Sequence, residues 1–535
     1  MHEFPSMSSR EKHQHQILSE NPATLEENDE TPETSREEVE RAVEEARRAQ
    51  VEWGERSVEE RLNVLKEFKH NLIENRREIA RTVNSEVGKP FGEAIVVDII
   101  PVVDAVDFVA REGPRIVEHE IEINNLMMMD RTSKAVREPL GVIGIISPWN
   151  YPFGIPASQI VYGLFAGNAV VLKPAEQTTL TGLKIKEMFD GTGLPDDVLK
   201  VVPGRGNVTG DALVNSSIDQ MTFTGSETVG DMVHSQCAPR GIPTTLELGG
   251  SDPAVVLEDA NLELTTDGVV WSRFTNCGQT CAAAKRLYVH NSIFEDVRDE
   301  IVRKVEALRV GDGADDGVDV GPLISEEALE KIHRQVTESV EMGATVVTGG
   351  EPLDGDLDGH FYEPTVLEDV THDMPVVREE TFGPVLPIMG FEDEDEAVEL
   401  ANDSRYGLSA SVWTRDVDRG EGIARRLEAG TVTINDHTHT YGLNETPWGG
   451  CKQSGHGRTH GKWGIEEVTR LKHIHRGSGD TVPASTRMRP IWWFPYPDDY
   501  AEKMGDGIEF LYGKGVKKIK KAPQVVRNLL NQDTF

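Results

Sequence analysis

The feature that most constrains the fold is a long run without any charged residue, LGVIGIISPWNYPFGIPASQIVYGLFAGNAVVL (140–172). A run of this kind has to be buried, either in a bilayer or in a protein core. Pro148, Pro152 and Pro156 would interrupt a spanning helix in the first half of the run. We therefore expect a buried strand, a loop, a helix and a second buried strand, and no transmembrane segment.

Short apolar runs and helical patterns continue to alternate after this segment. Strands are expected in 170–174, 197–204 and 219–226, and helices in 178–189 and 225–237. The alternation resumes after the motif ELGG, with strands in PAVVLED and KRLYVH and helices in LELTTDGVVWSRFTNCGQ and SIFEDVRDEIVRKVEAL. This order is typical of α/β proteins, and we expect doubly wound parallel sheets.

The charge balance excludes one class of partner. The 535 residues include 55 Lys and Arg against 92 Asp and Glu, a net charge of −37. A surface this acidic repels phosphate groups, so we expect no nucleic-acid partner. The acidic residues are dispersed, as in 312–320 and 391–400, which is typical of a protein adapted to high salt. An ordinary acidic cytosolic protein is the alternative, and the size of the imbalance disfavours it.

Cysteine and histidine usage indicates a reducing compartment and no metal site. Four cysteines in a chain of this length do not form a disulfide framework. The N-terminus lacks the apolar core of a signal peptide, and we expect a cytoplasmic protein. His13 with His15, and His437 with His439, form pairs that have no further ligands at metal-binding spacing.

The beginning of the chain differs from its middle. Residues 1–35 are polar and acidic with little apolar periodicity, so we expect a flexible extension. Ser35 is placed to cap a first helix with a glutamate three residues on, and a second helix is expected in 58–89.

The C-terminal extension, 477–535, contains a basic segment, 514–527, in an otherwise acidic protein. One interpretation is docking onto an acidic neighbouring subunit. Another is contact with a membrane surface, assisted by the apolar run of Ile491, Trp492, Trp493 and Phe494. A run of charges is usually a solvated face, and membrane contact is not favoured.

Five side chains form a set with a shared chemistry. Cys281 lies in the motif GQTC, and Glu247 lies upstream in ELGG. A thiol nucleophile and a carboxylate base, each close to glycine, are the groups needed to oxidise an aldehyde through a thioester. Asn150 offers an amide in PWNYP, and Glu380 offers a second carboxylate beside Phe382 in EETFGPV.

These motifs, in this order, resemble the NAD(P)-dependent aldehyde dehydrogenase superfamily over about residues 36–475. The resemblance implies an α/β fold with two doubly wound Rossmann-like domains, one cofactor-binding and one catalytic, and a small β oligomerisation arm that joins subunits into a homodimer or homotetramer. The expected boundaries are 36–120 and 140–250 for the NAD-binding domain, 121–139 and 464–476 for the arm, and 251–450 for the catalytic domain.

The resemblance also implies roles for the reacting groups. Cys281 attacks the aldehyde, and the Asn150 amide, together with the Cys281 backbone N–H, stabilises the oxyanion. Glu247 activates the water that hydrolyses the thioester; family members that acylate coenzyme A generally lack this glutamate, so a free acid is expected. Lys173 is included among the catalytic residues. Cys277 is expected to pack as a small hydrophobe, with a redox partnership with Cys281 left open.

The expected cofactor site has no GxGxxG fingerprint. Gly225 and Ser226 stand at a strand-to-helix turn whose N–H groups can hold pyrophosphate. Lys173 and Glu176 follow a buried strand, where the adenosine ribose is expected. Glu176 favours NAD over NADP, and Lys173 leaves NADP possible. The remaining expected contacts are Glu380 at the nicotinamide ribose, Phe382, Trp149 and Leu248.

Two alternatives remain at this point. The first is a semialdehyde dehydrogenase of the succinate-semialdehyde type, but Thr275 occupies the place where that group tends to carry an arginine. The second is a non-enzymatic scaffold that kept the fold. The presence of Cys281, Glu247 and Asn150 together disfavours this alternative. The particular aldehyde depends on loops such as 435–448.

Overall fold

Two mainly parallel sheets form the framework of the chain. The computed structural model describes residues 16–124, 131–353, 355, 357–477, 494, 496, 498–514 and 523. The chain divides into one unit of residues 1–119 and 136–472 and a second unit of residues 120–135 and 473–535.

The strands, numbered in chain order, are β1 (Gln16–Glu20), β2 (Glu27–Pro32), β3 (Glu118–Ile121), β4 (Thr132–Pro139), β5 (Val142–Ile146), β6 (Ala169–Lys173), β7 (Leu199–Val201), β8 (Gln220–Thr224), β9 (Thr244–Glu247), β10 (Asp252–Val256), β11 (Ala284–His290), β12 (Thr345–Thr348), β13 (Thr365–Glu368), β14 (Val385–Phe391), β15 (Ser409–Trp413), β16 (Thr431–Ile434), β17 (Gly455–His456) and β18 (Thr469–Arg476).

The α-helices are α1 (Arg36–Glu55), α2 (Val58–Val87), α3 (Phe91–Ala94), α4 (Ile100–Arg111), α5 (Gly113–Val117), α6 (Gly154–Phe165), α7 (Thr179–Glu187), α8 (Asp211–Asn215), α9 (Glu227–Cys237), α10 (Leu262–Phe274), α11 (Phe294–Val305), α12 (Glu326–Glu341), α13 (Pro375–Arg378), α14 (Glu394–Asn402), α15 (Val417–Ala424), α16 (Gly461–Glu467) and α17 (Tyr500–Tyr512). A π-helical turn, Ile95–Ile99, joins α3 to α4.

The first sheet has the strand order β17-β9-β8-β5-β6-β7. Its neighbouring strands are parallel except for β17, which runs antiparallel to β9. The uncharged run 140–172 forms β5, α6 and β6, as its pattern predicted, and every residue of α6 and β6 is buried. Because β5, β6, β8 and β9 are parallel, their carboxyl ends lie along one edge of the sheet.

The second sheet has the strand order β12-β13-β14-β11-β10-β15-β16. All neighbouring pairs are parallel except β12 with β13. Each sheet has its own hydrophobic core. The buried side chains of the first core lie between Val39 and Leu248, with Ile465 and Val468 added from the end of the chain. Those of the second core lie between Ala254 and Leu427. The expected doubly wound α/β fold is therefore confirmed. The change from one core to the other falls between Leu248 and Ala254, and the assignment of a cofactor-binding and a catalytic domain to the two sides stays a prediction.

The expectation of a flexible extension over 1–35 was wrong for the part that the structure describes. Strands β1 and β2 pair antiparallel, from Gln16 opposite Pro32 onwards. Ser19 Oγ donates to the buried Glu86 carboxylate on α2 at 2.8 Å. Polar contacts with the rest of the fold hold this hairpin, so a search for apolar periodicity does not detect it. Ser35 does cap α1, with the predicted capping box.

The closing strand expected over 464–475 begins later than predicted. Helix α16 occupies the first part of that segment, and β18 starts only at Thr469. Three residues of α16 are buried at helical spacing: Gly461, Gly464 and Ile465. The alternation of apolar and polar residues after them is a strand pattern, and it led the whole segment to be predicted as a strand. Strand β18 joins β4 and β3 in a three-stranded sheet, and its role as an assembly arm stays a prediction.

Some expectations fall on residues outside the described ranges: His13, His15, Ile491, Trp492, Trp493 and most of the basic segment 514–527. Among the helices that the structure does describe, none has both the length and the apolar content needed to cross a bilayer.

Candidate active site

The loop that carries Asn150 is held by a buried ion pair. This loop follows β5, whose carboxyl end lies at the common edge of the first sheet. Lys89 Nζ donates to Asp98 Oδ2 and to the Asn150 carbonyl oxygen, each at 2.8 Å. Asp98 Oδ1 in turn accepts from the backbone N–H groups of Phe153, at 3.2 Å, and Gly154, at 2.9 Å. Both side chains of the pair are fully buried, so the loop backbone is fixed at two points.

Asn150 also contacts the segment before the candidate nucleophile. Its Nδ2 donates to the Gln279 carbonyl oxygen at 2.9 Å. The side chain of Asn276 donates to the Asn150 carbonyl oxygen at 3.0 Å. Asn276 and Cys277 both have positive φ, 50° and 55°, which turns the chain sharply after α10. The turn therefore brings Asn150 and the residues just before Cys281 into direct contact.

Cys281 lies in a loop between the short helical turn Thr275–Gly278 and β11, and its side chain is half-buried. Burial raises the pKa of the Cys281 thiol to about 12, and the nearby Lys285 ammonium opposes this shift. The neighbouring Thr280 hydroxyl shares a hydrogen bond of 2.5 Å with the Tyr151 hydroxyl. Cys277 is fully buried, as expected for a cysteine that packs as a hydrophobe.

Glu247 is the last residue of β9, so its side chain stands at the sheet edge beside the loops after β5 and β8. Burial raises the pKa of the Glu247 carboxyl to about 8, and the Arg458 guanidinium and the Thr459 hydroxyl oppose the shift. A carboxyl with this pKa exchanges a proton near neutral pH, which suits a general base.

Two cavities meet at Cys281 and Glu247. The aromatic cavity, of about 120 Å³, is lined by Tyr151, Trp271, Tyr441 and Trp448. The helix-end cavity, of about 300 Å³, is lined by Trp149, Gly225, Ser226, Glu380 and Phe382 near the start of α9. Cys281, Glu247 and Leu248 line both cavities.

The helix-end cavity has features that fit a dinucleotide. The side chain of Ser226, the residue that precedes α9, makes no capping hydrogen bond, so it leaves the N–H groups of that helix end free for an anion. Trp149 meets Phe382 edge-on, with ring centroids 5.5 Å apart. Glu380 packs so closely on the backbone that a Cβ at Gly249 would lie 2.4 Å from its carboxylate, and Glu380 Oε1 accepts from Gly250 N at 3.0 Å.

Most of the residues expected to form the site lie together, and two do not. Trp149, Asn150, Gly225, Ser226, Glu247, Leu248, Cys281, Glu380 and Phe382 all line the helix-end cavity. Lys173 is buried at the end of β6, one strand further along the sheet. Glu176 accepts a hydrogen bond from Gly206 N at 2.8 Å. Neither residue lines the helix-end cavity or the aromatic cavity. The N–H group of Gly225 donates to the Glu247 carbonyl oxygen at 3.1 Å, so this N–H group is not available to an anion at the helix end.

Sequence reasoning missed several residues of the site. The aromatic side chains come from three separate parts of the chain. The motif PWNYP, which contains Tyr151, and the loop 435–448, which contains Tyr441 and Trp448, had been singled out, but Trp271 had not. Lys331 on α12 lines the helix-end cavity, and Lys285 contacts the Cys281 turn. A lysine in a helix or strand pattern has no local signal of such a role. Among the described residues, His437 and His439 join no third metal-ligating side chain.

Comparison with known proteins agrees with the geometry. The sequence model described as "Aldehyde dehydrogenase family" matches residues 9–474. The betaine aldehyde dehydrogenase of Bacillus subtilis (strain 168) is 37% identical over 450 residues, 83% of this chain and 88% of that protein. The NADP(+) succinate-semialdehyde dehydrogenase of Escherichia coli (strain K12) is 36% identical over 423 residues, 79% of this chain and 86% of that protein.

Solved structures show the same relationship. The NAD+ complex of an aldehyde dehydrogenase from Bacillus cereus superposes with a TM-score of 0.82 and 36% identity, over 86% of this chain and 93% of that one. The family model, the curated relatives and the structures each extend across both sheets. The chain therefore belongs to the aldehyde dehydrogenase family, and it is an oxidoreductase that acts on the aldehyde group with NAD(P)+.

Proposed function

We propose that the Cys281 thiol attacks the substrate aldehyde and that Glu247 activates the water that releases the acid. The observation that carries this assignment is that Cys281 and Glu247 line both cavities. An aldehyde in the aromatic cavity reaches the thiol from one side. A cofactor held in the helix-end cavity would approach the same carbon from the other side, as hydride transfer requires.

Asn150 is the proposed oxyanion donor. One of its two amide hydrogens is engaged with the Gln279 carbonyl oxygen, which leaves the other for the developing alkoxide. Lys89 and Asn276 hold the backbone carbonyl oxygen of Asn150, and the Gln279 carbonyl oxygen holds its side-chain amide. A donor of this kind typically contributes about 3 kcal/mol to transition-state stabilisation.

The proposed reaction proceeds in two stages. The Cys281 thiolate forms a C–S bond with the aldehyde carbon, and the carbonyl π electrons move to the oxygen, which accepts from Asn150. A nicotinamide held beside Trp149, Glu380 and Phe382 would supply the hydride acceptor, so that the carbon–hydrogen electron pair could leave, the C=O bond re-form and a thioester remain on Cys281. Water then attacks the thioester carbon while Glu247 takes its proton, the C–S bond breaks, and the acid departs.

The helix-end cavity supports NAD(P)+ as the dinucleotide. Trp149, Leu248 and Phe382 would enclose the nicotinamide, Glu380 would bind its ribose, and the turn at Ser226 would face the pyrophosphate. Lys173 and Glu176 are assigned to the adenosine ribose, and a carboxylate there favours NAD over NADP by repelling a 2′-phosphate. Both residues stand beyond the helix-end cavity.

The aromatic cavity supports a substrate without a carboxylate. No Lys or Arg stands among its lining residues, whereas aromatic faces line it from several directions. Thr275, the position relevant to a succinate-semialdehyde type, lines a different groove. Burying an unpaired carboxylate is strongly unfavourable, and aromatic faces accept apolar or cationic groups. The proposed substrate is therefore an aldehyde with an apolar or quaternary-ammonium body.

The remaining proposals concern assembly and surroundings. The three-stranded sheet of β18, β4 and β3 supports the proposed arm of a homodimer or homotetramer. A cytoplasmic location follows from the sequence expectations, and docking on a subunit is preferred over membrane contact for the basic tail. The dispersed acidic residues support adaptation to high salt.

Replacing the nucleophile should abolish turnover without abolishing cofactor binding. For Cys281→Ala we expect NADH formation to fall by about 10⁴-fold or more, because no other group forms the thioester. NAD+ binding, measured by titration calorimetry, should persist. Cys451→Ala is the matched control and should retain activity. Substantial NADH formation by Cys281→Ala would contradict the assignment.

Replacing the base should separate the two stages. Glu247→Gln should give a burst of about one NADH per active site and then stall, because acylation survives and hydrolysis does not. In the unaltered enzyme, hydrolysis should rise with pH through about 8, since the raised pKa keeps Glu247 protonated below that value. Stopped-flow and steady-state NADH assays at pH 6 to 10 test both points. A mutant without a burst, or with an unchanged pH profile of hydrolysis, would assign Glu247 another role.

A substrate series tests the character of the aromatic cavity. Hexanal, benzaldehyde, betaine aldehyde and succinate semialdehyde should be compared by kcat/KM. We expect succinate semialdehyde to be at least about 10-fold poorer than the best of the others, because its carboxylate finds no cationic partner. Tyr441→Ala should weaken the use of benzaldehyde. Succinate semialdehyde emerging as the best substrate would exclude this proposal.

Thermal unfolding in a KCl series tests the adaptation to salt. At a net charge of −37, unscreened repulsion destabilises the fold, and the Debye length shortens to about 3 Å at 1 M salt. The unfolding temperature should therefore rise from low to molar KCl. A flat or falling unfolding temperature would rule the idea out.

A further inference from the structure

Lys285 lies directly behind the candidate nucleophile. It is the second residue of β11, and only 1% of its side chain is exposed. Its Nζ donates to the carbonyl oxygens of Thr280, at 2.8 Å, and Cys281, at 2.5 Å. The side chain therefore folds back onto the turn that presents the thiol, and two of its three ammonium hydrogens are engaged there.

The same ammonium also faces the cofactor side of the site. Lys285 Nζ lies 3.8 Å from Glu380 Oε1, the oxygen that accepts from Gly250 N. It lies 5.9 Å from the centroid of the Phe382 ring. One cation thus adjoins the nucleophile turn and the two residues assigned to the nicotinamide end of the cofactor.

A buried ammonium requires nearby negative charge. Glu380 supplies one carboxylate, and Asp252 on β10 supplies another, with its Oδ2 accepting from Ser409 Oγ at 2.5 Å. Arg273 on α10 is the opposing cation. Burial lowers the pKa of Lys285, and the two carboxylates raise it. His437 lies in the loop after β16. Burial and, to a lesser degree, the Lys285 ammonium lower its pKa to about 3, so His437 adds no charge at neutral pH.

This arrangement acts on the Cys281 sulfur. Burial raises the pKa of the thiol; Lys285 lowers it, and the carboxylates of Glu380, Asp252 and Glu247 raise it further. Of these neighbouring charges, the Lys285 ammonium is the one that favours the thiolate.

We propose that Lys285 is a positioning residue of the active site, whose buried ammonium fixes the Cys281 turn and couples it to the Glu380 carboxylate. The inference rests on the proposed role of Cys281 as the nucleophile. It predicts that loss of the ammonium slows the thiol and weakens cofactor binding together, although Lys285 touches neither substrate nor the reacting atoms.

The test is the pH profile of Cys281 alkylation by iodoacetamide in the full-length enzyme, with the labelled peptide identified by mass spectrometry. Lys285→Met should react about 10-fold more slowly at pH 7.5, with its profile displaced to higher pH, and its KM for NAD+ should rise severalfold. Lys285→Arg should retain most of the reactivity. Lys69→Met, which removes a surface ion pair with Asp107, is the matched control and should leave the profile unchanged.

A second pair of variants guards against misfolding. Lys285→Met could fail to fold because the Asp252 carboxylate loses a nearby cation. In that case the single variant Asp252→Asn is compared with the double variant Lys285→Met/Asp252→Asn. Both variants lack the Asp252 charge and differ only at residue 285. Slower alkylation in the double variant supports the proposal, and matching profiles overturn it. A failure of the proposed function looks different: alkylation of Cys281 would then leave NADH formation intact in the unaltered enzyme.

Discussion

The carboxyl edge of the first parallel sheet is the constraint on which the site depends. Strands β9, β8, β5 and β6 are neighbours in that order, and each ends at the same edge. The edge therefore presents Glu247, Gly225, Asn150 and Lys173 in sequence. The first three share a cavity with Cys281, and Lys173, on the one of these four strands that lies farthest from β9, does not. Strand order, which no local motif encodes, decides which residues can act together.

Burial raises the pKa of both proposed reacting groups, the Cys281 thiol and the Glu247 carboxyl. Both Cys281 and Glu247 are disfavoured as anions by their surroundings, with pKa values of about 12 and 8. Burial therefore favours the neutral form of both groups. The thiolate is then favoured only where a cation is close, and Lys285 occupies that place.

The sequence predicted those parts of the fold and site whose signals are local. The run 140–172 could be assigned to β5, α6 and β6 because its periodicity and prolines are contiguous, and Cys281 stood in a recognisable motif. The contact of Lys285 with Glu380 joins distant segments, and the aromatic side chains of the aromatic cavity come from three separate segments. Such contacts follow from strand order and side-chain packing. The hairpin of β1 and β2 escaped prediction for a related reason, since polar contacts such as Ser19 with Glu86 anchor it.

The π-helical turn Ile95–Ile99 has a consequence for how this enzyme can change. Its five residues include Val96 and Val97, which line the aromatic cavity, and Asp98, which anchors the Asn150 loop. A π turn holds one residue more than an α turn, and each residue of a helix rotates the chain by about 100°. Deleting a single residue there would restore a regular helix but swing Asp98 away from Lys89. A change of length at this point would therefore displace the lining of the aromatic cavity and the anchor of the Asn150 loop together.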